Sequence, residues 1–259
     1  MNIPAASVLR KYEHAGYVIF RNVLDGELVA EAYGHVDWLL SKHPDLRPEQ
    51  LGHQLAIGDP FWIRLVSDDR LLDIVKLFVG PDIALFATHY ICKPPKTGQA
   101  VLWHQDGAFW PLEPMSVITL WLAITDSDPE NGCLRVVPGT HTKELKGLRE
   151  PDDLDSVLRA EMDADPVDED SAVDLVLRPG DISIHHPNIV HSSKANTSDR
   201  WRRALTIRYI PTSTRITEQA AASPYLLRGR AVDGVNSYLE LPRFRAGDHM
   251  LFSGADTWR

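Results

Sequence analysis

From residue 82 onward the chain breaks into short runs rich in β-branched and aromatic residues. Each is closed off by glycine, proline or a polar turn: DIALFATHYICK, QAVLWHQD, SVITLWLAI, GCLRVVPG, VDLVLRPGDISIHH and RRALTIRYIP. Many short strands punctuated in this way predict a β-sandwich or jelly roll. A length of 259 residues suits one large all-β domain. We expect a single domain over 1–259, with a core at about 82–211 and an extension at 212–259.

Residues 4–80 have a different texture and predict helices. AASVLRKYEHAG ends in Gly16, a good helix stop, and YVIFRNVL (17–24) follows as a strand. In 25–43 the apolar residues Leu28, Val29, Ala32, Val36, Leu39 and Leu40 fall at helical spacing behind Asp25, the expected N-cap. DDRLLDIVKLFVG (68–80) is a further amphipathic helix stopped by Gly80 and Pro81. Residues 142–171 interrupt the strands with a run of acidic side chains. They are expected as a solvated insertion, or as a lid over a pocket.

A net charge of −9 argues against binding to nucleic acid or to an anionic membrane surface. Two cysteines, Cys92 and Cys133, do not make a disulfide framework, and reduced thiols are expected. The N-terminus lacks a charged segment followed by an apolar one, and no apolar run is long enough to span a bilayer. The expectation is a cytoplasmic protein, monomer or homodimer, acting on a small molecule.

Within WHQD (103–106), His104 and Asp106 stand two residues apart. On a strand that spacing puts imidazole and carboxylate on one face. A third ligand would complete the 2-His-1-carboxylate triad of non-haem Fe(II) oxygenases. His185, His186 and His191 in RPGDISIHHPNIVHSS (178–193) are candidates, and only a folded sheet can bring one of them to the pair.

Four blocks together resemble the phytanoyl-CoA dioxygenase family of Fe(II)- and 2-oxoglutarate-dependent oxygenases. They are WHQD (103–106), ENGCLRVVPGTH (130–141), RPGDISIHHPNIVHSS (178–193) and NTSDRWRRALTIRY (196–209). The resemblance implies a double-stranded β-helix, the cupin-like jelly roll, with flanking helices. It implies Fe(II) held by His104, Asp106 and His191. It also implies 2-oxoglutarate held by Arg202, 11 residues after His191, by Ser193, and beside Trp121. O₂ would be the second cosubstrate, with succinate and CO₂ released as a substrate C–H is hydroxylated. Aspartate at 106, where related halogenases carry a small residue, favours hydroxylation.

The residue types suit that chemistry. Imidazole and carboxylate serve Fe(II) better than thiolate. A distal carboxylate needs a fixed two-pronged donor, which arginine provides better than lysine. Arg203 competes with Arg202, but neighbours on a strand face opposite ways. His141 is read as fixing a turn, and Gly132, Gly139 and Gly180 as turn residues. His89 and Lys93 face the pocket or lie half-exposed. Phe109, Trp110 and Pro111 shield the site or simply pack its mouth, and Phe61-Trp62 reads as core. The arginines of 212–259 are read as solvated surface, with an anionic-substrate site as the alternative. Other outcomes compete with hydroxylation: desaturation, epimerisation or cyclisation at the same iron, a cupin-like binding module, and a zinc hydrolase.

Overall fold

A computed structural model describes residues 4–149, 156–158, 161–163 and 167–258. Part of the acidic insertion expected at 142–171 therefore lies outside the described residues.

Four helices lie ahead of residue 80, interrupted by one strand: α1 (Ala5–Ala15), α2 (Gly26–Lys42), α3 (Pro60–Val66) and α4 (Asp69–Val79). Three of them are capped by aspartate. Asp25 accepts from the Leu28 N–H, Asp59 from Trp62 and Asp68 from Arg70, which satisfies donors that a helix start leaves open. The α1 helix ends on Gly16 in the left-handed conformation.

The strands are β1 (Tyr17–Phe20), β2 (Ile83–Tyr90), β3 (Val101–His104), β4 (Leu112–Glu113), β5 (Ile118–Ala123), β6 (Arg135–Val136) and β7 (Leu148–Arg149), then β8 (Glu161–Met162), β9 (Val173–Asp174), β10 (Ile182–His185), β11 (His191–Ser193), β12 (Ala204–Pro211), β13 (Arg215–Ile216) and β14 (Tyr225–Arg228). A six-stranded sheet runs β1, β10, β5, β12, β2, β14, and a four-stranded sheet runs β3, β11, β6, β9. All the described pairings within both sheets are antiparallel. Strands far apart in sequence are neighbours, as a jelly roll requires.

The central strands are buried on both faces, and period-2 alternation separates the two jobs. Ile118, Leu120, Leu122, Ile182, Ile184, Leu205, Ile207 and Tyr209 pack against the helices in one large core. The alternate positions Thr119, Trp121, Ser183, His185, Thr206 and Arg208 turn toward the smaller sheet, and there the polar residues collect. Toward the C-terminal end, Phe252 and Trp258 pack against that core.

Strand β1 stops at Phe20 instead of continuing to Leu24. Asn22 takes a positive φ of 52°, and its N–H bonds the Asp181 carboxylate at 2.8 Å. Asp181, from the PGD motif, also accepts from Arg178 N–H at 2.9 Å and from Arg21 at 2.7 Å. Burial by itself would raise its pKa, but these donors outweigh it and hold the carboxyl below the usual range. A carboxylate with a depressed pKa stabilises the fold above its unfolded value of about 3.9, and that contribution is lost as pH falls through the folded value. Asp181→Asn is therefore expected to lose about 2–3 kcal/mol at pH 7. In denaturant unfolding, its deficit against the parent should shrink below about pH 4.

Gly132 explains the NG of the second block. Its φ is +78°, and an added Cβ would lie 2.2 Å from the Lys194 carbonyl oxygen. Gly132→Ala is expected to cost about 2–3 kcal/mol, which a thermal melt reads as a drop of roughly 4–12 °C.

Candidate metal centre

The antiparallel pairing of β11 with β3 sets His191 directly opposite His104. That register closes the 87-residue gap in sequence, and the two rings lie 4.0 Å apart between centroids. Strand β3 ends at His104, and Asp106 opens a 3-10 turn. Gln105 between them is still extended, at φ −120° and ψ 118°, so the carboxylate turns to the imidazole's side although only the histidine belongs to the strand. The Gln105 side chain is anchored at both ends, accepting from Lys146 N–H at 2.9 Å and donating to Asn188 O at 2.8 Å.

Donor atoms of His104, Asp106 and His191 all lie within 4.8 Å of one another, and the three residues are buried. Nδ1 of His104 bonds the Leu102 carbonyl at 2.8 Å, and Nδ1 of His191 bonds the Ile189 carbonyl at 2.9 Å. In each bond Nδ1 donates to the carbonyl, which turns Nε2 toward the centre as the nitrogen available to a metal. Those two Nε2 atoms face Asp106 Oδ1 at 3.4 and 3.8 Å. The other carboxylate oxygen, Oδ2, accepts from Thr119 Oγ1 at 3.1 Å. Remote atoms tied to the protein and near atoms converging on one point are how a metal site is oriented.

Burial holds His191 well below the ordinary imidazole range, with the His104 charge as a second cause. That direction favours the deprotonated ring that a ligand must present. Burial would raise Asp106, yet the surrounding imidazoles hold it well below the usual carboxylate range. Two imidazoles and one carboxylate on one face are the donor set that Fe(II) takes in non-haem sites, so these residues fit such an ion.

The other histidines separate by geometry. His186 accepts from Asn188 N–H at 3.0 Å and packs near His141, whose Nε2 bonds the Glu13 carbonyl at 3.0 Å. Neither faces the centre. His185 does: its Nε2 lies 3.8 Å from Asp106 Oδ2, and neither of its ring nitrogens has a hydrogen-bond partner. His89 lines the cavity and bonds the Glu49 carbonyl at 3.0 Å.

A cavity opens from the triad between the sheets, lined in part by Trp121, Ser193, Arg202 and Arg208. Arg202 enters it with terminal nitrogens donating to the Gly132 and Ile91 carbonyls, both at 2.9 Å, and Nε unpartnered. Its guanidinium carbon sits 5.5 Å from the Trp121 ring. Burial lowers its pKa to about 10, which still leaves it charged at neutral pH. Arg203 points the other way, to Asp37 at 2.6 Å and the Tyr33 carbonyl. Ser193 Oγ accepts from Lys93 Nζ at 2.7 Å. Lys93 is thus fully buried, which the sequence reading left open against half-exposure.

From the insertion, Val157 and Leu158 line the cavity, and Val157 N–H bonds Ala100 O at 3.0 Å. Glu169 is clasped by Trp103 and Arg135. The described part of this segment is wall as well as surface. At the rim, Phe109 lies 6.0 Å from the His104 ring and Trp110 5.9 Å from Phe86. Among the C-terminal arginines, Arg228 pairs with Asp69 and Asp73. Cys92 and Cys133 are free and buried.

Thr119 and Arg208 were not read from the sequence. Both are polar residues on strands of otherwise apolar character, ITLWLA and ALTIRYIP, and that mismatch was the available signal.

The profile of the family described as phytanoyl-CoA dioxygenase (PhyH) matches residues 12–204. The chain belongs to the phytanoyl-CoA dioxygenase family. A phytanoyl-CoA dioxygenase domain-containing protein 1 homolog of Caenorhabditis briggsae is 30% identical over 177 residues, 66% of this chain and 62% of that protein. This member of the phytanoyl-CoA dioxygenase family thus spans less than two thirds of that relative's length. A solved non-heme monooxygenase, ThoJ, shares the fold at TM-score 0.76 and 24% identity, covering 91% of this chain and 88% of that one. The solved alpha ketoglutarate dependent epimerase SnoN from nogalamycin biosynthesis aligns at TM-score 0.66 and 25% identity, covering 83% and 87%. Among the described residues no helix is long and apolar enough to cross a membrane.

Proposed function

We propose that this protein is an Fe(II)- and 2-oxoglutarate-dependent oxygenase that hydroxylates an unactivated C–H of a small molecule, releasing succinate and CO₂. The observation that carries the reading is the convergence of His104, Asp106 and His191 on one point, at a cavity that also holds a charged, partly unpartnered arginine. The family and the likeness to SnoN, whose name includes dependence on the same keto acid, support it.

His104 Nε2, His191 Nε2 and Asp106 Oδ1 would hold the ion. Bound iron supplies O₂ activation coupled to oxidative decarboxylation of the keto acid. The protein's part is to place the reactants. Arg202 Nε and the spare hydrogens on its terminal nitrogens take the distal carboxylate. The Lys93 bond to Ser193 occupies a lone pair of that hydroxyl and leaves its hydrogen to donate to the same carboxylate. Trp121 forms the apolar wall alongside, and Phe109, Trp110, Val157 and Leu158 keep water from the reacting end.

Succinate formation from 2-oxoglutarate under air, dependent on added Fe(II) and blocked by N-oxalylglycine, is the expected result. No keto-acid turnover with iron over a broad substrate panel, or a zinc-supported hydrolysis that N-oxalylglycine leaves untouched, would overturn it. The likeness to an epimerase favours one second reading, epimerisation at the same site. Product analysis separates the two: a hydroxyl gained, or a stereocentre inverted at unchanged mass.

A further inference from the structure

Arg208 is a cation in search of an anion. It lies on the cavity face of β12, three alternations along from Arg202, in the row that contains Thr119 and His185. It therefore stands at the level of the triad. Its Nε is buried without a partner, and its other nitrogens make neither a hydrogen bond nor an ion pair among the described residues. Its guanidinium carbon lies 5.6 Å from the Trp110 ring at the rim, and the one opposite charge acting on it is Asp106 of the triad, which makes no hydrogen bond to it. Arg202 and Arg203, on the same strand approach, are both tied to carbonyl oxygens. The residue is half-buried and lines the cavity, so its terminal nitrogens stay open for a ligand to complete.

Resting on the oxygenase reading above, we infer that Arg208 is the specificity residue for the substrate, and that the substrate is a small molecule carrying one carboxylate. A five-carbon keto diacid chelating iron at one end has a single distal carboxylate, and Arg202 with Ser193 takes it. Six residues of strand separate the two arginines, about 20 Å of backbone, so the same carboxylate does not serve both. Charge points the same way. Among the groups lining the cavity, iron(II), Arg202 and Arg208 against Asp106 and the doubly charged keto acid leave one positive charge over. A monoanion cancels it, whereas a phosphate monoester overshoots. Arg208 sits between the triad and Trp110, so a carboxylate clamped there holds the attached carbon skeleton in front of the metal.

The test uses the full chain, anaerobic, loaded with Fe(II) and 2-oxoglutarate. Straight-chain and aromatic monocarboxylic acids are titrated by calorimetry beside their primary amides, into the parent and Arg208→Met. The parent is expected to bind carboxylates at least about tenfold more tightly than amides, and the variant to lose that preference. Keto-acid affinity should stay within about twofold in the variant. Without ligands, Arg208→Met should melt within about 2–4 °C of the parent, because a half-buried guanidinium that makes no hydrogen bond is replaced; a structural role would lower it by more. Equal binding of acids and amides, or no binding of any acid, overturns the inference. So does a large loss of 2-oxoglutarate affinity in Arg208→Met, which would make Arg208 the cosubstrate anchor. Failure of the iron-loaded parent to bind 2-oxoglutarate at all would instead sink the oxygenase reading itself.

Discussion

His191→Ala is expected to lose iron binding by at least about a hundredfold and to abolish keto-acid turnover, while the protein remains folded. Outer-sphere partners of a metal site are worth about 10–100-fold each, and removing a ligand outright exceeds that. The fold should survive because the ring stabilises little on its own. It is an imidazole crowded by His104 at 4.0 Å and His185 at 4.9 Å, and its one hydrogen bond among the described residues is to the Ile189 carbonyl two residues away. The signature is a split result. The ligand-free melting temperature changes by only a few degrees, and the upward shift on adding Fe(II), which mass action requires of a native-state ligand, disappears. His141→Ala is the control. That ring bonds Glu13 outside the cavity, so its loss should leave the iron-induced shift intact. An iron shift that persists in His191→Ala would mean that another group, such as the unpartnered His185, holds the ion.

Why the third histidine was readable and its surroundings were not follows from the range of each interaction. His104 and Asp106 are a local feature, and strand alternation nearly suffices to place them. The register of β11 on β3 is not local: it depends on which strands neighbour each other across the sheet, and spacing alone left His185, His186 and His191 open. The resemblance to a family chose among them. The caps were legible because an aspartate before an apolar run has one common use, and Asp25 was read that way. The truncation of β1 was not, since it arises from Asn22 meeting Asp181, some 160 residues further on. Lys93 and Arg208 show the same limit. A charge inside an apolar strand says that something unusual is there, but only the folded sheet says whether it faces Ser193, an empty stretch of cavity or solvent.

Arg202→Lys is expected to raise the 2-oxoglutarate requirement at least about tenfold while turnover at saturation falls much less. A charge-assisted hydrogen bond contributes about 1.5–3 kcal/mol, and lysine keeps the charge while losing the planar, pre-oriented fork. Part of the effect is structural, because Arg202 also clamps the Gly132 and Ile91 carbonyls. The substitution should lower stability by about 1–2 kcal/mol. A second keto acid separates the two causes. 2-Oxovalerate has the same chelating end and chain length but no distal carboxylate. The parent should prefer 2-oxoglutarate over it by at least about tenfold, and Arg202→Met should reduce that preference to less than about threefold. General loosening of the pocket would weaken both keto acids together and leave their ratio unchanged. Loss of the ratio therefore assigns the distal carboxylate to Arg202, and a preserved ratio would pass that role to another cation of the cavity.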